Sequence, residues 1–186
     1  DSMLIRVGAL YHDIGKSKNP QFFIENQISG QNPHDELSPK ESAKIIINHV
    51  IDGVEMAKKQ NLPEILIDFI RTHHGTSLTR YFYNTLKNDI GEEKINKKDF
   101  TYPGPLPFSK ETAILMMADS VEAASRSLPK YDEETINNLV ENIINNQAAE
   151  NQFINADITF KELSKIKQLF KKMLQNIYHI RIAYPK

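Results

Sequence analysis

The chain contains no cysteine, which removes disulfides, a thiolate nucleophile and Cys-ligated zinc at once. It has no tryptophan either, and its apolar runs are only a few residues long, so no segment reads as a bilayer span. The start does not read as a signal peptide, because Asp1, Arg6 and Tyr11-His12-Asp13 interrupt it. An excess of charge is also missing: 23 Lys+Arg face 24 Asp+Glu, a net of -1. That balance argues against a generic nucleic-acid polymer coat or a polybasic membrane tail. What remains is 186 residues, 40% of them hydrophobic, enough for one domain with an ordinary core. With thiols absent, any transition-metal site must use histidine and carboxylate. There are six histidines, at 12, 34, 49, 73, 74 and 179.

The apolar spacing is helical almost throughout, and no period-2 strand is convincing. Leu4, Val7, Leu10 and Tyr11 predict a helix over 2–14, with Gly15 as its stop. Residues 17–37 are polar, broken by Pro20, Gly30 and Pro33, and read as a long loop or short helical pieces. Ser38-Pro39-Lys40-Glu41 is a capping box with proline at the first helical position, opening a stripe of Ala43, Ile46, Ile47, Val50, Val54 and Ala57. Pro63-Glu64 opens a further helix reaching His73-His74, and another is expected at 77–87. Residues 88–108 form a second long, proline-rich loop. Ser109 caps a helix to about Leu128, Asp132 one over 133–149, and Thr159 with Glu162 a last one to about Ile180. The expectation is one all-α domain, a helical bundle with two long site-forming loops.

Several residues carry chemistry. His12-Asp13 falls where the first apolar stripe stops, so a helix delivers the pair to its own end. A solvated or capping pair is the plain alternative. His49, among apolar neighbours, fits a hydrogen-bonded core histidine or a metal ligand. His73-His74 fits a helix C-cap or two ligands pointing about 100° apart. Asp119 is the hardest to explain structurally, because it sits in Met-Met-Ala-Asp-Ser-Val and a buried carboxylate is costly unless paired or metal-bound. Glu122 and Arg126 fit an i,i+4 ion pair. His34 and His179 read as solvated bystanders.

The ordered set His12-Asp13, His49, His73-His74, Asp119 on an all-α chain resembles the HD-domain metal phosphohydrolases. The stretches RVGALYHDIGK (6–16), FIENQ (23–27), HHGTSL (73–78), RYFY (80–83), YPGP (102–105) and KETAILMMADSVEAASRSL (110–128) are similar to one branch of them. That branch is the cytosolic HD domain of the seven-transmembrane HD receptors, the PgpH-type bacterial cyclic di-AMP phosphodiesterases. The HD-GYP branch fits less well, since Gly75-Thr76-Ser77 follows the histidine pair and Tyr102-Pro103-Gly104 comes later.

The resemblance implies two metal ions, iron or manganese, with Asp13 bridging them. It places His12 and Asp119 on one metal and His49, His73 and His74 around the other. The family's first ligand histidine lies on a helix upstream of the HD pair, and no histidine precedes His12. The expectation is therefore an HD domain over 1–186 that lacks its N-terminal helix. Lys16 is expected near a phosphate oxygen, or as a solvated helix-end lysine. Glu25, Asn26 and Gln27 are candidate contacts to nucleotide or to ordered waters. Arg80, Tyr81 and Tyr83 are candidate clamps, or simply helix packing. The implied reaction is hydrolysis of cyclic di-AMP to pApA by a cytoplasmic domain, without membrane contact of its own, of a membrane-spanning parent. An HD nucleotidase or dNTP phosphohydrolase, and a non-hydrolysing cyclic dinucleotide sensor, are the alternatives.

Overall fold

The structure is a computed structural model, described over residues 1–27 and 32–179. Among the described residues it holds seven α-helices and no strand, so the all-α expectation is met. The chain divides into two compact units, Asp1–Leu106 and Pro107–Lys186, and each is described by itself.

In the first unit α1 spans Ser2–Tyr11, α2 Pro39–Lys59, α3 Glu64–Thr72 and α4 Arg80–Ile90. Helix α1 ends at Tyr11, three residues earlier than its apolar spacing predicts, with His12 as C-cap. Gly15 is not the stop. It lies in a 3-10 turn, Ile14–Lys18, pressed against α2. A Cβ on Gly15 would sit 1.9 Å from the His49 carbonyl oxygen and 2.5 Å from the Gly53 nitrogen. Only glycine permits that approach, which brings the HD turn against the helix that carries His49.

Helix α2 starts as its capping box predicts: Ser38 Oγ accepts from the Glu41 N–H, and Glu41 accepts from the Ser38 N–H. Its stripe buries Ala43, Val50 and Ala57, with His49 among them. Helix α4 begins at Arg80 instead of 77. Leu78 is held in an antiparallel bridge with Thr101, and the Thr79 N–H donates to the Phe100 carbonyl. The loop before α2 is a string of 3-10 turns, Pro20–Phe22, Ile24–Asn26 and Pro33–Glu36; Gly30 lies outside the described residues.

The second unit packs α5 (Lys110–Ser125), α6 (Glu133–Ala149) and α7 (Phe160–His179) on one another. Ser109 caps α5 and Asp132 caps α6 as expected. The Thr159/Glu162 box opens α7. Helix α5 stops at Ser125, before the expected Leu128. The Ile180 end of α7 and the His179 side chain lie outside the described residues. One apolar cluster fills this unit: Met116, Met117, Ile136, Val140 and Ile144 are at its centre and almost fully buried.

Candidate metal centre

The first unit gathers five of the expected ligands. His12 caps α1, Asp13 follows it, His49 rides α2, and His73 caps α3 with His74 next in the turn that follows. Three of the imidazoles are held identically. The Nδ1–H of His12 donates to the Ala9 carbonyl (2.9 Å), that of His49 to Ile46, and that of His73 to Ile70 (2.7 Å). Each acceptor is the carbonyl three residues earlier, at the C-terminal side of a helical turn. A carbonyl only accepts, so the proton belongs on Nδ1 and the neutral ring presents its Nε2 lone pair outward. Anchoring one ring nitrogen so that the other faces a metal is a common outer-shell device.

These lone pairs converge. His49 Nε2 lies 3.1 Å from His73 Nε2. Two lone pairs this close repel unless a cation lies beside them. The spacing matches two ligands of one ion bound at about 2.1 Å. Asp13 Oδ1 is buried and makes no hydrogen bond of good geometry; it sits 3.4 Å from His49 Nε2 and 3.6 Å from His73 Nε2. Asp13 Oδ2 lies 3.2 Å from His12 Nε2 and 2.7 Å from Lys16 Nζ. The His74 pKa falls well below the ordinary histidine value, first because it is buried and then because His73 and His49 are adjacent. A neutral His74 is the form that donates a lone pair.

Among the described residues two groups bring ligand atoms within 4.8 Å of one another: His12, Asp13 and His73, and His49, His73 and His74. They share His73, so the cluster is one continuous donor set able to hold metal, and its all-N/O chemistry suits a divalent first-row ion.

Lys16 completes the rim. Burial would lower its pKa, but Asp13 and Glu25 outweigh that and hold it above the ordinary lysine value, so it stays charged. Its Nζ is 2.8 Å from Glu25 Oε1 and 5.2 Å from the Phe23 ring centroid. Glu25 is thus committed to Lys16. Asn26 stands exposed beside it, and Gln27 bonds to Asn32 (3.3 Å). Arg80 is exposed at the start of α4, and Tyr81 is 75% exposed, with its ring against Phe82. Tyr83 is packing: it is buried and donates to Glu92. His34 belongs to neither ligand group and is not solvated as expected. Its Nε2–H donates to the Phe22 carbonyl, and its ring lies between Phe22 and Phe82. Asp119 lies half-buried in α5 of the second unit, and Arg126 and Glu122 form the expected ion pair there (2.9 Å).

The residue that sequence reasoning passed over is Tyr102. Its ring stacks on His74, 4.2 Å between centroids and 23° between planes, and edges His49 at 6.2 Å. YPGP marked the stretch, but nothing local said that it meets the histidine pair.

A helical fold carrying a His-Asp turn, with histidines converging on it from two further helices, is the HD arrangement. The HD domain family model matches residues 1–124, and the chain belongs to that family. Among curated proteins it is 47% identical, over its full length, to the cyclic-di-AMP phosphodiesterase PgpH of Bacillus subtilis and 43% identical to that of Listeria monocytogenes. It spans about a quarter of each, 26%. Among solved structures it is similar to the L. monocytogenes PgpH HD domain in complex with cyclic-di-AMP, with 41% identity and a TM-score of 0.91, over 96% of this chain and 82% of that one.

Proposed function

We propose that this domain hydrolyses cyclic di-AMP to pApA at a two-ion centre of iron or manganese. The observation that carries the reading is the convergence of three Nε2-presenting imidazoles on the Asp13 carboxylate. The relatives named above supply the substrate. His12 and Asp13 would hold one ion and His49, His73 and His74 the other; Asp119 is assigned to the ligand set by the family resemblance alone. Ions bound there would supply Lewis acidity to a phosphoryl oxygen and lower the pKa of water.

The chain's own groups do the rest. Asp13 turns one oxygen to His49 and His73 and the other to His12 and Lys16, so a single carboxylate spaces both ligand groups. Lys16, charged and held from two sides, presents its ammonium to a nonbridging phosphate oxygen and offsets the charge that builds there. Asn26, Arg80 and Tyr81 are exposed and are the candidate contacts to the nucleotide. In the reaction a water oxygen bonds to phosphorus and the 3′ oxygen–phosphorus bond breaks. The leaving oxygen gains a proton, and a linear dinucleotide with a 5′-phosphate results.

We infer further that the domain is the cytosolic part of a membrane-anchored protein. This reading is supported by the PgpH resemblance. No helix among the described residues is long and apolar enough to cross a membrane. The test of the activity is turnover of cyclic di-AMP by metal-loaded protein, against Asp13→Ala and Asp119→Ala. Turnover is expected in the wild type and lost in both variants; retained activity in both, or an intact substrate with wild type, removes the reading.

A further inference from the structure

We propose that Tyr102 is a positioning residue that fixes the His74 imidazole and thereby the affinity of the His49–His73–His74 ion site; this rests on the two-ion reading above. The His74 imidazole has the Tyr102 ring stacked on its face. Tyr102 is 6% exposed, so the stack is shielded from water and leaves the imidazole little room to rotate. Offset aromatic stacking at this separation is a favourable geometry in its own right.

The backbone shows why Tyr102 stays there. Its N–H donates to the Ser77 carbonyl at 3.0 Å, and its predecessor Thr101 is bridged to Leu78. The loop is therefore pinned to the same turn, 73–78, that carries the histidine pair. Gly104 closes the join. At φ 79° it adopts a conformation L side chains rarely take, and a Cβ there would meet Thr76 at 3.3 Å. The YPGP turn and the HHGTSL turn are one laced unit, with Tyr102 as its contact to the cluster. Removing the ring opens space beside one ligand and leaves the carbonyl anchors of His12, His49 and His73 in place, so one ion site weakens and the other does not.

The test is Mn2+ titration of the protein by calorimetry, with metal content by elemental analysis, for wild type, Tyr102→Leu and Tyr102→Phe. Wild type is expected to take up two ions. Tyr102→Leu should bind one ion unchanged and the other about 10–100-fold more weakly, the usual cost of losing an outer-shell orienter. Tyr102→Phe keeps the stack and should behave as wild type. Two ions bound normally by Tyr102→Leu, equal weakening of both sites, or failure of Tyr102→Phe to restore binding would each overturn the role of Tyr102 alone. A wild type that binds a single ion overturns the two-ion reading and this proposal with it.

Discussion

The two units use their interiors differently. In the second, buried side chains from α5, α6 and α7 join one apolar cluster running from Ala113 to Leu174. In the first, two small apolar groups form, around Ala43, Tyr83 and Phe100 and around Ala57, Ile67 and Ile70, and Phe23, Val50, Leu66 and Phe69 are buried besides. What sets its interior apart is the pair of buried imidazoles, His49 and His73, set among the buried hydroxyls of Ser42, Thr72 and Thr79. A buried imidazole whose lone pair faces another is a cost to an empty protein and a gain to a metal-loaded one. The first unit is thus built to be completed by a ligand, and the second is built to be stable as it stands.

The sharpest way to break that contrast is to remove the group on which the first unit converges. Asp13→Ala should abolish cyclic di-AMP turnover and reduce bound metal, because both ligand groups face that carboxylate. Elemental analysis and a turnover assay check both halves. If the two units truly differ, the same change should cost little folding stability without metal. Mn2+ should raise the wild-type melting temperature and not that of the variant. Saturation a hundredfold above the dissociation constant is worth about 2.7 kcal/mol.

The second unit should respond the other way. Ile144→Ala empties a fully buried site in the continuous core and should cost about 2–5 kcal/mol in urea unfolding, with or without Mn2+. A metal-dependent loss of that size would show that the contrast between the units is wrong.

Between these lies Gly15, which serves the site through packing. Gly15→Ala puts a methyl into the His49 carbonyl, so the turn and α2 must part. The expected cost is about 1–3 kcal/mol by urea unfolding, as for other overpacked contacts, together with weaker Mn2+ binding. Normal stability and binding would mean that the close approach does not set the ligand geometry.

What could be read from the sequence divides along physical lines. Helix starts were legible because caps are local: Ser38, Ser109, Asp132 and Thr159 each satisfy an N–H within their own first turn. The HD pair and the three histidines were legible because their order and residue types are themselves the chemical signal. Contacts made by folding were not. Tyr102 reaches His74 through a single bridge between residues far apart in sequence, and the same bridge delays α4 to Arg80. Glu25 looked available to a nucleotide until its partner Lys16 was in view. Gly15 read as a helix stop because periodicity cannot show which backbone a glycine touches.

The smallest expected effect tests the second unit's surface. Glu141 on α6 accepts from Lys167 (2.8 Å) and Lys171 (2.6 Å) on α7, and these bonds draw its pKa down to about 2. A depressed folded-state pKa adds stability that is present above the unfolded value of about 4.3 and is lost as pH falls toward 2. The carboxylate side chain is 40% exposed, so solvent screening limits the gain to about 1 kcal/mol or less. Urea unfolding of wild type and Glu141→Gln should therefore differ by that amount at pH 7, and the gap should close between pH 4.5 and 2. The closure is diagnostic: a gap that persisted at pH 2 would have to come from packing rather than charge, and the unit's stability would then owe nothing to its lysine-rich face.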